Sequence, residues 1–130
     1  MDVTFSKGFV GCFENDDIVR ILSEQRRISR NYVVATVHNA HNPGFKEYFN
    51  KRAELDLLYS LRFFFVEEIN ELFQSAGLVP EVFSVGKAYQ SGGDLLIREG
   101  ASLVEVAKFI KSSGLQGIKS SEYLMVAARP

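Results

Sequence analysis

Apolar positions fall into short segments whose period changes along the chain. Asp2–Ser6 carries the β-formers Val3, Thr4 and Phe5 and predicts a short strand. Lys7–Glu14 reads as a loop holding Gly8 and Gly11. Asn15 is a candidate N-cap, with Asp16 and Asp17 in the first helical turn, where the helix dipole favours acids. Ile18, Ile21, Leu22, Gln25 and Ile28 then recur at helical spacing. Tyr32–Val37 is continuously apolar or β-branched, as in a strand covered on both faces. His38–Gly44 is a polar loop closed by Pro43-Gly44. Phe45–Leu58 predicts a helix with Phe45, Tyr48, Phe49, Arg52 and Ala53 along one side. Tyr59–Phe65 follows and ends in three phenylalanines. Val66–Ala76 predicts a second such helix, buried through Val66, Ile69, Leu72, Phe73 and Ala76, and Gly77 suits the C′ position.

Pro80–Tyr89 predicts a strand centred on Val82–Val85, and Gln90–Gly93 a turn. Ser102 and Glu105 have capping-box spacing and open a last helix. Its inward residues are expected to be Leu103, Val106, Ala107 and Ile110, with Gly114 as its stop. Tyr123–Ala128 is the final strand. Strands that alternate with helices argue for an α/β sheet with helices on its faces. The last two strands are the pair expected to run antiparallel at one edge.

The 130 residues suit one domain. Fifteen Lys+Arg against sixteen Asp+Glu leave a net charge of −1, which gives no electrostatic grip on nucleic acid. No apolar run approaches the roughly 20 residues that cross a bilayer. The start, Met1 to Phe5, has neither the basic beginning nor the apolar middle of a signal peptide. Cys12 is the single cysteine, so no internal disulfide can form and a reducing compartment is the default. A cytoplasmic location is expected.

Four segments together resemble the C-terminal half of a class I S-adenosylmethionine-dependent methyltransferase. Asp2-Val3-Thr4-Phe5-Ser6-Lys7-Gly8-Phe9-Val10-Gly11-Cys12-Phe13 is similar to that family's fourth strand and following loop, D-x-V-x-S-x-G-x-L-E-H-F. The helix Ile18–Ser29, then Tyr32–Val37 and Asn39, resembles the approach to the fifth strand and the strand itself. Arg62-Phe63-Phe64-Phe65-Val66-Glu67-Glu68-Ile69-Asn70-Glu71-Leu72-Phe73-Gln74-Ser75-Ala76-Gly77-Leu78 looks like the family's R-F-F-[ST]-x-E-E-[LI]-x-x-L-F-x-x-A-G-[FL] segment. Tyr123–Pro130 is similar to the terminal strand. The third segment is the most distinctive of the four.

The resemblance implies a partial Rossmann-like methyltransferase sheet, with about four strands, the last antiparallel, and helices on its faces. It implies a single truncated methyltransferase-like domain over 1–130. The family's cofactor turn, a G-x-G-like motif after its first strand, has no counterpart among the ten glycines. S-adenosylmethionine thus enters by resemblance only, and turnover by the isolated chain is not expected. Ligands of doubly wound folds sit beyond the strand C-termini. Ser6, Gly8, His38 and Asn39 are therefore the first substrate-side candidates, followed by Phe45 and Tyr48. Three departures stand out. Gly11-Cys12 replaces a common Glu-His, His38 replaces a common Pro, and Phe65 stands where a Ser or Thr N-cap is usual.

Other side chains read more plainly. Cys12 precedes a helix start, but Glu14, Asp16 and Asp17 oppose a thiolate, so an inert thiol is expected. His38 and His41 lack further ligands for a metal, and none is expected. Arg20, Arg26, Arg27 and Arg30 fit a solvated face. Glu67 and Glu68 fit helix-start carboxylates. Phe49, Tyr59 and Phe63-Phe64-Phe65 suit either a pocket wall or core packing, with core favoured for at least two of the three phenylalanines. An alternative to the enzyme reading is a non-catalytic interaction module. In the family the fourth strand pairs with the first, so here Val3, Thr4 and Phe5 would form an open sheet edge. The expected partner is a second copy of this chain or a separate chain supplying the N-terminal half. A third reading makes Met1 an internal methionine of a longer gene.

Overall fold

The computed structural model describes residues 1–85, 99–105, 108, 118–119 and 121–130. Strand β1 (Val3–Lys7) leads through a 3-10 turn at Phe9–Cys12 into helix α1 (Asn15–Ile28). Strand β2 (Tyr32–Asn39), helix α2 (Pro43–Ala53), the two-residue strand β3 (Phe63–Phe64) and helix α3 (Val66–Ser75) follow. Strands β4 (Val79–Val85) and β5 (Tyr123–Arg129) complete the sheet. Its order is β1-β2-β5-β4. β1 and β2 are parallel, whereas β5 runs antiparallel to both β2 and β4. The expected antiparallel pairing of the last two strands is present. β3 adds a short parallel partner for β2 at His38 and Asn39, just past the last residue paired with β1.

Alternation along the strands divides the sheet into two faces. One face, with Thr4, Val33, Ala35, Val37, Leu124, Val126 and Ala128, lies against α1 and α3. Ile18, Leu22, Ile69, Leu72 and Phe73 close the core from the helix side. The other face carries Val3, Phe5, Tyr32, Val34, Thr36, His38 and Tyr123, and α2 meets it only at the His38 end.

Several boundaries differ from the sequence expectations. α1 has Glu14, not Asn15, at its N-cap: Glu14 is extended, and its carbonyl accepts the Ile18 N–H at 3.0 Å. Its buried stripe is Ile18 and Leu22, while Ile21 is half-buried and Ile28 exposed. At 3.6 residues per turn, positions 21 and 28 lie about 60–80° to one side of position 18. α2 starts at Pro43, because the Asn42 side chain accepts the Phe45 N–H at 3.1 Å and Pro43 suits the first turn. It ends at Ala53, and Asp56, accepting the Leu58 N–H at 3.0 Å, starts a separate turn at Leu57–Tyr59. Tyr32–Val37 is fully covered on one face only, since Val34 and Thr36 are half-buried and Tyr32 is exposed.

α3 starts where expected, at Val66, and ends one residue early, with Ala76 as its C-cap. Gly77 N–H bonds to the Gln74 carbonyl at 2.9 Å, and Leu78 N–H to that of Phe73 at 3.0 Å, which is the Schellman pattern. The Ser102–Glu105 capping box forms in both directions, at 2.8 and 3.3 Å. Leu103, expected inward, is exposed instead, because the capped turn stands clear of the core at this end. The expected positions Val106, Ala107, Ile110 and Gly114, the turn Gln90–Gly93 and the end of the Pro80–Tyr89 strand lie outside the described residues.

Candidate functional site

β1 and β2 run parallel, so their C-terminal ends lie together. β1 ends at Lys7, and Gly8 turns away with φ 64°. A Cβ at Gly8 would stand 3.5 Å from His38 Cε1, so the turn passes over the imidazole edge. The Gly8 N–H still bonds to the Thr36 carbonyl at 2.8 Å, which locks the turn onto β2.

His38 sits at the centre of an aromatic cluster. Its ring stacks on Phe45 at 5.8 Å and meets Phe49, Tyr123 and Phe63 at 5.0, 5.2 and 5.3 Å. α2 delivers Phe45 and Phe49 one helical turn apart, β3 delivers Phe63 and β5 delivers Tyr123. The imidazole is 6% exposed, and its Nδ1 has no hydrogen-bond partner among the described residues. Burial pushes its pKa down to about 4, so the ring is neutral at pH 7. Burial, helped by the Glu122 carboxylate, raises the Tyr123 phenol. Thr36 Oγ1, two residues before His38 on the same face, is also buried without a partner among the described residues. The strand end thus holds two buried polar atoms, His38 Nδ1 and Thr36 Oγ1, without a partner among the described residues, the first of them inside the aromatic cluster.

The other candidates point elsewhere. Asn39 faces the opposite side of β2 and is fully buried. Its amide donates to Ile118 O at 2.5 Å and to Ser121 O at 2.9 Å, and its Oδ1 accepts the His41 N–H at 2.9 Å. The amide nitrogen ties the segment before β5 to the end of β2, and the amide oxygen holds the loop that follows β2. Asn42 adds a bond to Ser121 O at 3.2 Å. Ser6 also lies on the helix-covered face, with its Oγ buried and without a partner among the described residues. Tyr48 accepts a hydrogen bond from Arg52 at 2.9 Å, and the guanidinium continues over Tyr59. Gly8, His38 and Phe45 are therefore brought together, Tyr48 meets the cluster at the Phe49 ring, 5.9 Å away, and Ser6 and Asn39 lie on the opposite face of the sheet.

The three phenylalanines separate. Phe63 joins the His38 cluster, Phe64 is core, and Phe65 is exposed with its ring edge against His41. Sequence reading missed Tyr123 and Thr36 at this site. Both follow from strand alternation once β2 and β5 are known to pair. Glu68 pairs with Arg62, whose guanidinium lies over Phe64. Arg20 and Arg27 pair with Asp17 and Glu24 on the exposed side of α1. Among the described residues no three His, Cys, Asp or Glu side chains group to hold a metal, and no helix is long and apolar enough to cross a membrane.

At the edge, Val3 and Phe5 are exposed, whereas Thr4 turns inward and its Oγ1 accepts from Ser29 Oγ at 2.8 Å. β1 therefore offers two apolar side chains and an edge with no strand partner among the described residues.

This mixed α/β sheet is a methyltransferase fold of the Rossmann-like kind. No known family profile matches the chain, and no curated relative does. Solved structures do. Geranyl diphosphate C-methyltransferase from Streptomyces coelicolor A3(2), bound to Mg2+, geranyl diphosphate and S-adenosyl-L-homocysteine, aligns with a TM-score of 0.53 and 16% identity. That alignment covers 99% of this chain and 47% of the enzyme. Haemonchus contortus phosphoethanolamine N-methyltransferase 2, bound to phosphomonomethylethanolamine and S-adenosylhomocysteine, aligns with a TM-score of 0.52 and 16% identity, over 99% of this chain and 33% of its own. Its S-adenosyl-L-methionine complex gives a TM-score of 0.51. The chain thus spans less than half the length of each of these structures.

Proposed function

We propose that these 130 residues form the acceptor-side part of an S-adenosylmethionine-dependent methyltransferase fold, and that they do not turn over alone. The observation carrying this reading is the sheet itself. Segments resembling the family's fourth, fifth and terminal strands lie in the order β1-β2-β5, with β5 antiparallel. On this reading Gly8, His38 and Phe45 form a wall of the acceptor pocket at the strand ends. A neutral imidazole within aromatic rings keeps that wall dry, and methyl transfer depends on a dry, well-oriented pocket. The cofactor site belongs to polypeptide outside these residues, and a cytoplasmic setting suits the single exposed Cys12.

Calorimetry with S-adenosylmethionine tests this. The expected result is no saturable binding by the chain up to millimolar ligand. Binding at millimolar affinity or tighter would overturn it.

The second reading is a non-catalytic interaction module. It is favoured by the β1 edge, which has no strand partner among the described residues and carries exposed Val3 and Phe5. Light scattering of the purified chain distinguishes a self-associating module from one that needs another partner.

A further inference from the structure

Helix α2 meets the strands through rings. Phe45 and Phe49 pack on His38 and Phe63, and Phe45 also packs on Tyr123, with ring centroids 5.0 to 5.8 Å apart. Among the described residues no α2 side chain is hydrogen-bonded or ion-paired to a strand, since Lys51 pairs with Glu47 and Glu99. Arg52 donates to Tyr48 Oη and lies over the Tyr59 ring at 4.5 Å, and Phe49 meets that ring at 5.3 Å. α2 and the turn at Leu57–Tyr59 thus form one unit, which can lift from the sheet without leaving a polar group unpaired.

Beneath this unit lies one polar atom that already lacks a partner. His38 is 6% exposed, and its Nδ1 is buried with no hydrogen bond among the described residues. A buried N–H without an acceptor is the rarer orphan, so the proton belongs on Nε2 and Nδ1 presents a lone pair. In so apolar a cluster that lone pair is costly to leave bare and binds strongly when matched. The rings of Phe45, Phe49, Phe63 and Tyr123 carry no charge at pH 7, the Tyr123 phenol being held up by burial. They suit a flat neutral molecule that meets them edge to face, and they disfavour an ionised group beside Nδ1.

We infer that α2 lifts to admit a neutral aromatic ligand bearing an O–H or N–H donor, its ring lying among Phe45, Phe49, Phe63 and Tyr123 and its donor on His38 Nδ1. This rests on the methyltransferase reading and names the class of acceptor that His38 selects.

Phenol and toluene, which differ only by a hydroxyl against a methyl, are the probes. Each is titrated into the full chain carrying isotope-labelled histidine, and nitrogen resonances of the His38 ring are followed by NMR. In the free chain they are expected to report a proton on Nε2. Saturating phenol is expected to move the Nδ1 resonance toward its hydrogen-bonded position, and toluene to leave it in place. His38→Leu is expected to weaken phenol relative to toluene at least about tenfold, a ratio from which the apolar part of binding cancels. If that variant does not fold, the wild-type spectra still decide. A proton on Nδ1 in the free chain, no saturable binding of phenol, an Nδ1 resonance that phenol does not move, or an equal effect of His38→Leu on both probes would each overturn the inference. Calorimetry with S-adenosylmethionine bears on the methyltransferase reading alone. A ligand at His38 survives the failure of that reading, and the reading, which stands on the sheet, survives a failure of phenol.

Discussion

His41 Nε2 accepts the backbone N–H of Val66 at 3.1 Å, and so caps the helix that Phe65 leaves uncapped. Phe65 occupies the N-cap position with extended backbone and no side-chain oxygen. A residue 24 positions upstream of Phe65 supplies the missing acceptor, and the Phe65 ring packs edge-on against it at 4.9 Å. Removing a cap costs about 1 kcal/mol. His41→Ala is therefore expected to lower stability by about that amount in urea titration. Adding Phe65→Ser in that background is expected to restore most of it. A full loss that serine cannot rescue would mean His41 acts through the β2–α2 loop and not through the cap.

His38 sets the pH dependence of folding. Unfolded, its imidazole titrates near 6.5, and in the fold burial lowers this to about 4. Between those values the unfolded chain holds the extra proton. Stability is therefore fully present above pH 6.5 and falls as pH drops toward 4. At 1.36 kcal/mol per pKa unit, the loss amounts to roughly 3 kcal/mol. His38→Leu keeps an apolar side chain of similar size among the rings and removes the orphaned Nδ1. Its denaturation midpoint is expected to stay nearly flat over the same window. A wild-type chain equally stable at pH 7 and pH 4.5 would show that the ring protonates in place.

Helix ends were legible where backbone geometry imposes one residue. Gly77, with φ 77°, closes α3 as its place after Ala76 predicted, because a left-handed C′ position admits glycine at no steric cost. Gly77→Ala is expected to cost about 1–2 kcal/mol in thermal unfolding. The added methyl meets only the movable Arg26 guanidinium at 3.2 Å, so strain and not collision decides the outcome. Gly77→Asn, which tolerates the same backbone, should cost less.

What the sequence hid is mostly long-range. The strands and their order were readable, since each has its own run of β-formers. β3 was not, because a two-residue bridge has no period and its Phe63-Phe64 lies inside an aromatic run. The start of α2 carried a readable signal, Asn42 before Pro43, but the Pro43-Gly44 pair read more strongly as a turn. At the candidate site, Gly8 and His38 could be grouped from their places at strand ends, and Phe45 from the helix that follows the second of them. The division of β2 into two faces could not be applied until its partners were known. That division sends His38 to the aromatic cluster and its neighbour Asn39 to the opposite side.

Asn39 therefore acts on architecture, and its replacement should show it. The side chain joins β2 to the segment that enters β5, through donors to Ile118 and Ser121 and an acceptor for the His41 N–H. Asn39→Ala leaves those groups unsatisfied in a fully buried place, at about 1–3 kcal/mol for each group without a substitute partner. Asn39→Asp is the sharper probe, because it keeps size and the acceptor but places a carboxylate against two carbonyl oxygens. It is expected to be the more destabilising change above pH 5 and to recover partly on acidification, when the protonated acid can donate. Hydrogen exchange should report the loss first at the amides of His41 and Asn39, the latter bonded to Glu122 O at 3.0 Å. If Asn39→Asp matched the wild type in stability at pH 7, the tie between β2 and β5 would not depend on this amide.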